Sequence, residues 1–209
     1  FIKLMIDKHY LQSAAIKNQT SFDNVGREYL QQLFLATFYQ LPASEKFLFK
    51  GGTALRLVFR SPRFSEDLDF SATGRVETFE ELLLNTLEEV KKNGIECVLI
   101  TAEKTSGGYI AKISAELYSQ KYIILFNVSQ RRKNTDKEER KIVAGDYFPA
   151  FTVSILEKKS LVNEKIEALL TRSKPRDFFD LYFILRSNLL STAEKGILKK
   201  VVPVLQKTR

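Results

Sequence analysis

Residues 47–53 read Phe-Leu-Phe-Lys-Gly-Gly-Thr, and residues 67–70 read Asp-Leu-Asp-Phe. The apolar run before the glycines is typical of a buried strand, and the residues after them have the spacing of a short helix. A second strand would then carry the Asp-x-Asp pattern. This order of strand, glycine turn, helix and strand predicts an α+β fold with a mixed β-sheet at its centre.

Two aspartates lie one residue apart in the second of these stretches. Because successive side chains of a strand point to opposite faces, Asp67 and Asp69 would share one face, about 7 Å apart. Leu68 and Phe70 would point into the core. Paired carboxylates suit a hard divalent cation, and the turn at residues 51–53 would offer backbone N–H groups to a phosphate. The sequence therefore predicts a site for a metal–nucleoside triphosphate.

Composition restricts the chemistry that is available to the chain. Of its 209 residues, 44% are hydrophobic and 28% are charged, as in ordinary globular proteins. The single cysteine, Cys97, excludes an intramolecular disulfide, and the single histidine, His9, argues against a histidine-based triad or metal cluster. Reactive groups must therefore come from Asp, Lys, Arg, Ser and Tyr. The sequence has no run of about 20 apolar residues that would predict a membrane span, so we expect a cytoplasmic protein.

The net charge of +8 favours polyanionic partners. The basic residues concentrate in four segments, which are residues 46–63, 131–141 and 158–176 and the C-terminal tail. A nucleic acid would be attracted to such segments, although a triphosphate alone could also account for the charge.

A second informative block lies near the C-terminus. Residues 163–172 have helical apolar spacing, Pro175 interrupts the pattern, and Asp177 can cap the helix that follows. Lys165 would lie on the first of these helices, and Asp180 one turn after Asp177 on the second. Taken alone, this block is also compatible with two amphipathic helices whose charges face solvent.

Together the two blocks resemble a known family. The Gly-Gly turn followed by Asp-x-Asp resembles the signature of the DNA polymerase beta-like nucleotidyltransferases. Residues 49–56, 63–70 and 176–182 are more narrowly similar to the AbiEii/AbiGii toxins of type IV toxin–antitoxin systems. The resemblance implies a nucleotidyltransferase core with N-terminal helices over residues 1–150, and a C-terminal helical region over residues 151–209 that completes the site.

The resemblance also implies an activity. A nucleoside monophosphate would pass from a triphosphate to an acceptor hydroxyl with Mg²⁺ or Mn²⁺, with tRNA or another nucleic acid as the candidate acceptor. A separate antitoxin protein would be the partner. Two other interpretations stay open: an antibiotic or protein nucleotidyltransferase with the same donor site, and a nucleotide-binding regulatory module without turnover.

Seven residues receive roles from this resemblance. Asp67 and Asp69 would ligate the metal. Gly51, Gly52 and Thr53 would cradle the β,γ-phosphates. Lys165 and Asp177 on the C-terminal helices would complete catalysis, and Lys165 would do so by binding the triphosphate. Gly52 is expected to let phosphate approach the backbone, and the Thr53 hydroxyl is expected to act as a further donor. The directions of Lys50 and Arg56 stay open.

One position departs from the superfamily pattern. Polymerase beta-like enzymes usually add a third carboxylate from a later strand, and the matching strand at residues 122–129 contains Asn127 instead. An amide can ligate a metal through its oxygen but cannot accept the proton of an attacking hydroxyl. Asp177 could supply that function, Glu116 is a weaker substitute, and otherwise catalysis would be weakened.

Overall fold

The computed structural model describes residues 6–130, 137–145, 148–187, 189–191 and 194–202. Three sequence features extend outside these ranges. They are part of a basic segment, at residues 131–136, the basic C-terminal tail from residue 203 onward, and both ends of a helix that the sequence predicts over residues 192–205.

Six α-helices and seven strands make up the regular structure of the described residues. In chain order they are α1 (Lys8–Lys17), α2 (Phe22–Phe38), β1 (Phe47–Lys50), α3 (Gly51–Leu57), β2 (Leu68–Ala72), α4 (Val76–Lys92), β3 (Cys97–Thr105), β4 (Gly108–Leu117), β5 (Gln120–Ser129), β6 (Glu138–Val143), β7 (Phe151–Leu156), α5 (Lys158–Arg172) and α6 (Pro175–Arg186). Helices therefore precede and follow a strand-rich centre, as the sequence predicts.

The strands form one mixed sheet in the order β3-β4-β5-β2-β1-β7-β6. β1 and β2 are antiparallel, whereas β2 runs parallel to β5 and β1 runs parallel to β7. The fold class predicted from the sequence, α+β with a mixed sheet of the nucleotidyltransferase type, is thereby confirmed.

Phenylalanines fill the space between the sheet and the helices α2 and α4. Phe38 of α2 and Phe79 of α4 both contact Phe47 and Phe70 of the first two strands, with ring centroids 5.1–6.2 Å apart. These four rings are at most 2% exposed. Burial of each such side chain contributes roughly 1.5–3 kcal/mol, so this cluster holds β1 and β2 in place.

Local signals explain where several helices begin and end. The Ser21 hydroxyl accepts a hydrogen bond from the Asn24 backbone N–H at the start of α2. Helix α4 ends just before Gly94, whose φ of +88° lies in the left-handed region. The helix that the sequence predicts over residues 77–93, followed by a glycine, agrees with this end.

Two sequence predictions about secondary structure were wrong. The charged residues 133–140 predict a loop, but residues 138–140 begin β6 at the edge of the sheet. Within the helix predicted over residues 192–205, the described part forms a 3₁₀-helix over Glu194–Lys200. None of the described helices has the length and apolar character needed to cross a bilayer.

The described chain divides into two compact units. The first contains residues 6–130, 140–145 and 148–155, and with them most of the sheet. The second contains residues 137–139 and the chain from residue 156 onward, including α5 and α6. A division at residue 150 stays a prediction.

Candidate active site

The Gly-Gly turn, formed by Gly51 and Gly52, joins β1 directly to α3. Gly51 has a φ of +81°, which side chains other than glycine rarely adopt. A Cβ at Gly51 would lie only 2.1 Å from Oδ2 of Asp69. Glycine is therefore required at this position so that the Asp69 carboxylate can lie against the turn.

The Asp-x-Asp segment has the two-faced character that the alternation predicted. Leu68 and Phe70 are buried in the core, whereas Asp67 and Asp69 are only partly buried. Asp67 comes immediately before β2, and its backbone carbonyl accepts a hydrogen bond from the hydroxyl of Thr53. This bond ties the first turn of α3 to the start of the strand.

The Thr53 hydroxyl has only one hydrogen, and it points at the Asp67 carbonyl. Thr53 is also fully buried. In this arrangement its hydroxyl serves the packing of α3 on β2, and a role of Thr53 in phosphate binding stays a prediction.

Gly52 is surrounded by the chain itself. A Cβ at Gly52 would lie 2.6 Å from Nη2 of Arg63 and 2.6 Å from Oγ of Ser65. The sequence predicts that phosphate approaches the backbone at Gly52. In the structure, two side chains of the loop before β2 border that position. Sequence reasoning gave neither residue a role.

Lys50, Asp69 and Asn127 form a row across three neighbouring strands. Asp69 is in register with Lys50 on β1 and with Asn127 on β5, so the three side chains share one face of the sheet. Nδ2 of Asn127 donates a hydrogen bond of 3.1 Å to Oδ1 of Asp69. The sequence left the direction of Lys50 open, and the structure places it on the same face of the sheet as Asp69.

A cleft of about 340 Å³ opens over this row. Besides the row itself, its lining comes from the β3–β4 turn and from β4 and β5: Thr105, Ser106, Gly107, Tyr109, Ile110, Val128 and Ser129, together with Phe70. The pattern of these residues carried no functional signal in the sequence, because the pairing of β4 with β5, and of β5 with β2, brings them to Asp69.

Glu116 does not belong to this cleft. Ile110, which is paired with Asn127, and Glu116 are separated by six residues on β4, or roughly 20 Å along a strand. Glu116 instead pairs with Lys121 at the far end of the β4–β5 hairpin. The prediction that Glu116 is a weaker substitute for a third carboxylate was therefore wrong.

Arg56 is directed away from the cleft, toward helix α2. Its Nε donates to Oε2 of Glu28 at 2.6 Å, and its Nη1 donates to the Ser61 carbonyl at 3.1 Å. The guanidinium carbon also lies 3.9 Å from the centroid of the Phe64 ring. Arg56 therefore anchors α3, the helix that begins with the Gly-Gly turn.

In the second unit, Lys165 and Asp180 form a buried ion pair. Nζ of Lys165 donates to Oδ2 of Asp180 at 2.8 Å, and the two residues are 8% and 1% exposed. The pair joins α5 to α6. Buried charges of this kind are tolerated because each is compensated by the other.

Asp177 caps α6 from within its first turn, as the sequence predicted. Its carboxylate accepts hydrogen bonds from the Arg172 guanidinium at 2.7 Å and from the Lys174 backbone N–H at 3.0 Å. Burial alone would raise the pKa of Asp177, but these hydrogen bonds and the charge of Arg172 lower it below its ordinary value. The carboxylate is therefore held ionised.

The residues of the candidate site fit a divalent cation that takes only a few of its ligands from the protein. Among the described residues there is no group of three or more His, Cys, Asp or Glu side chains placed to hold a metal. Asp69 supplies hard oxygen donors beside the Gly-Gly turn, and Asp67 supplies a second carboxylate two positions earlier in the chain. A Mg²⁺-type ion, which commonly uses one or two carboxylates plus phosphate oxygens, suits that donor set.

A mixed sheet with a glycine turn against an Asp-x-Asp strand defines a nucleotidyltransferase-like protein. Residues 33–204 match the protein family described as nucleotidyl transferase AbiEii toxin, type IV toxin–antitoxin system, and the chain belongs to that family. The enzyme class predicted from the sequence is thus confirmed at the level of the family. No curated protein sequence gives a match.

Solved structures share this fold. MenT4, a nucleotidyltransferase toxin from Mycobacterium tuberculosis H37Rv, is 20% identical with a TM-score of 0.66, over 84% of this chain and 63% of that one. JHP933 from Helicobacter pylori is also 20% identical, with a TM-score of 0.61, over 86% of this chain and 74% of that one. The chain therefore spans less than two thirds of the length of MenT4, and the likeness concerns the fold.

Proposed function

We propose that this protein is a metal-dependent nucleotidyltransferase that transfers a nucleoside monophosphate from a triphosphate to an acceptor hydroxyl. The observation that carries the proposal is the seating of the Asp69 carboxylate on Gly51, in a cleft that Lys50 and Asn127 also line. In that position a carboxylate-bound cation would lie beside the backbone of the turn. Membership of the AbiEii toxin family supports the same reaction.

The metal would be held by Asp67 and Asp69, with Mg²⁺ or Mn²⁺ as the candidates. When bound, such an ion neutralises charge on the triphosphate and on the developing leaving group. Gly51, Gly52 and Thr53 would bind the β,γ-phosphates through their backbone N–H groups. Because catalysis of phosphoryl transfer consists mainly of positioning and charge neutralisation, the residues require no covalent chemistry.

Lys165 and Asp177 remain proposed catalytic residues. As a triphosphate ligand, Lys165 would have to share its ammonium between the phosphates and Asp180, its present partner. As a base, Asp177 would have to exchange Arg172 for the acceptor hydroxyl, since its oxygens are now occupied. Both roles therefore require rearranged ion pairs within the second unit.

Nucleic acid, with tRNA as the candidate, is the acceptor we propose. The net charge of +8 supports a polyanionic substrate. An antitoxin protein encoded separately would be the partner, as the type IV toxin–antitoxin family implies. A cytoplasmic location belongs to the same proposal, because nucleoside triphosphates and tRNA are both present there.

A second candidate is a nucleotide-binding regulatory module without turnover. It is favoured by one observation: Asn127 lies beside Asp69, at the position where a carboxylate could accept a proton. An antibiotic or protein nucleotidyltransferase would share the donor site and differ only in the acceptor.

A labelling experiment separates these functions. The protein would be incubated with each α-labelled triphosphate, Mg²⁺, and either total RNA or RNA-free lysate. Label on RNA supports the toxin proposal, label on a protein or small molecule supports the alternative acceptors, and nucleotide binding without label supports the regulatory module. In the matched control, Asp67→Asn/Asp69→Asn should lose both metal-dependent nucleotide binding and labelling. If the control binds Mg²⁺–nucleotide like the wild type, the proposed site is wrong.

A further inference from the structure

We infer that Arg63 is a further nucleotide-binding residue, held over Gly52 so that its guanidinium contacts the terminal phosphates. The inference rests on the proposed function. Its first support is the fit between the two residues: Nη2 of Arg63 and Oγ of Ser65 each come within 2.6 Å of where a Cβ at Gly52 would stand. Arg63 thus lies on the same turn that the Asp69 carboxylate contacts at Gly51.

The two ends of the guanidinium lie on different sides. Nη1 of Arg63 donates to the carbonyl of Phe64 at 3.1 Å, and Nη2 lies on the side of Gly52. A guanidinium carries five N–H donors, and its fork matches the spacing of phosphate oxygens. Arg63 is only partly buried, so a ligand in the solvent can reach it.

A purely structural role for Arg63 is less economical, because the loop that carries it is already anchored. Nε2 of Gln31 donates to the carbonyls of Ser65 and Glu66, at 3.0 and 2.8 Å. Thr53 holds the next residue, Asp67, through its carbonyl. The main anchors of the loop are therefore Gln31 and Thr53. The cation at position 63 adds positive charge beside the turn and the carboxylates.

The two residues offer two independent ways to disturb the contact. Arg63→Gln removes the charge and keeps a polar side chain of similar reach. Gly52→Ala leaves Arg63 in the sequence but pushes its flexible end away from the turn, since the new Cβ would clash at 2.6 Å. Lys91→Gln, an exposed site in the last turn of α4, is the control for the loss of one positive charge.

The test is calorimetric binding of Mg²⁺ with ATP, GTP, CTP and UTP in turn, and of the matching monophosphates. We expect Arg63→Gln to weaken binding of the preferred triphosphate roughly 10- to 100-fold, the range for a charged hydrogen bond, and to leave the monophosphate almost unchanged. Arg63→Lys should recover part of the loss. Gly52→Ala should act in the same direction, because the new Cβ displaces Arg63 and also narrows the approach of phosphate to the turn.

Two outcomes would overturn the inference: triphosphate binding by Arg63→Gln within twofold of the wild type, or equal losses for triphosphate and monophosphate. If Arg63→Gln does not fold, Arg63→Lys carries the same test. Failure of the proposed function would look different, because Asp67→Asn/Asp69→Asn would then also bind Mg²⁺–triphosphate normally.

Discussion

Replacing Asn127 by aspartate tests the geometry of the cleft most directly. Nδ2 of Asn127 donates to Oδ1 of Asp69 at 3.1 Å, and aspartate has the same shape as asparagine. The substitution therefore turns a hydrogen bond into a contact between two carboxylates. Two like charges about 4 Å apart repel by about 4 kcal/mol at an effective dielectric constant of 20. Lys50 on the other side and partial exposure to water offset part of this, so we expect a net loss of about 2 kcal/mol of unfolding free energy.

For a chain of this length, that loss corresponds to a fall in Tm of roughly 4–8 °C at pH 8 without metal. The fall should shrink at lower pH, because a proton bound between the two carboxylates of the folded variant removes their repulsion. Mg²⁺ should raise the Tm of Asn127→Asp more than that of the wild type, because a third carboxylate joins Asp67 and Asp69. Scanning calorimetry with and without Mg²⁺ measures all three effects.

The matched control exchanges the two side chains, as Asp69→Asn/Asn127→Asp. It restores one carboxylate and one amide in contact, so stability without metal should return to near that of the wild type. Nucleotide binding should remain impaired, because the carboxylate no longer lies over Gly51. An Asn127→Asp variant with wild-type Tm at pH 8 and no added response to Mg²⁺ would refute the contact between these two side chains.

Three further substitutions follow from the same geometry. Gly51→Ala should cost roughly 1–3 kcal/mol and abolish Mg²⁺–nucleotide binding in calorimetry, because it combines a positive φ with a clash; Gly196→Ala, with open space around it, should change neither. Lys165→Met should lower the unfolding free energy in urea by about 3 kcal/mol, and Lys165→Met/Asp180→Leu should recover most of it, unless the pair is not buried. Asp177→Ala should cost about 1 kcal/mol at pH 7. Since the folded pKa of Asp177 is lowered, that difference should persist down to about pH 3.8 and vanish only below it; a difference already lost at pH 5 would contradict the assigned contacts.

Patterns that depend on neighbouring residues could be predicted from the sequence. The alternation of Asp67, Leu68, Asp69 and Phe70 follows from the two-residue period of a strand, and the cap at Asp177 follows from its distance to Pro175. Each of these features is decided within one turn or one strand. Their physical causes are local, so the sequence of the segment itself is enough to predict them.

Features that depend on distant residues were missed. β6 begins with charged residues that give no apolar alternation, and its pairing with β7 across the sheet makes it a strand. Arg63 reaches Gly52 from a loop eleven positions away, and nothing in its spacing indicates that contact. The pairing of Lys165 with Asp180 likewise depends on how two helices pack.

The anchoring of α3 has a consequence for the kinetics of ligand entry. Arg56 fixes the helix to Glu28 of α2, and Thr53 fixes its first turn to β2, so the glycine turn is held in place before any ligand arrives. A nucleotide that binds there has no ordering step of the turn to wait for. Its association with the turn should therefore be a single bimolecular event, with an observed rate that rises linearly with nucleotide concentration. When the contact of Arg56 with Glu28 is removed, the observed rate should level off at high nucleotide concentration. The plateau should equal the rate at which α3 returns to its ordered position.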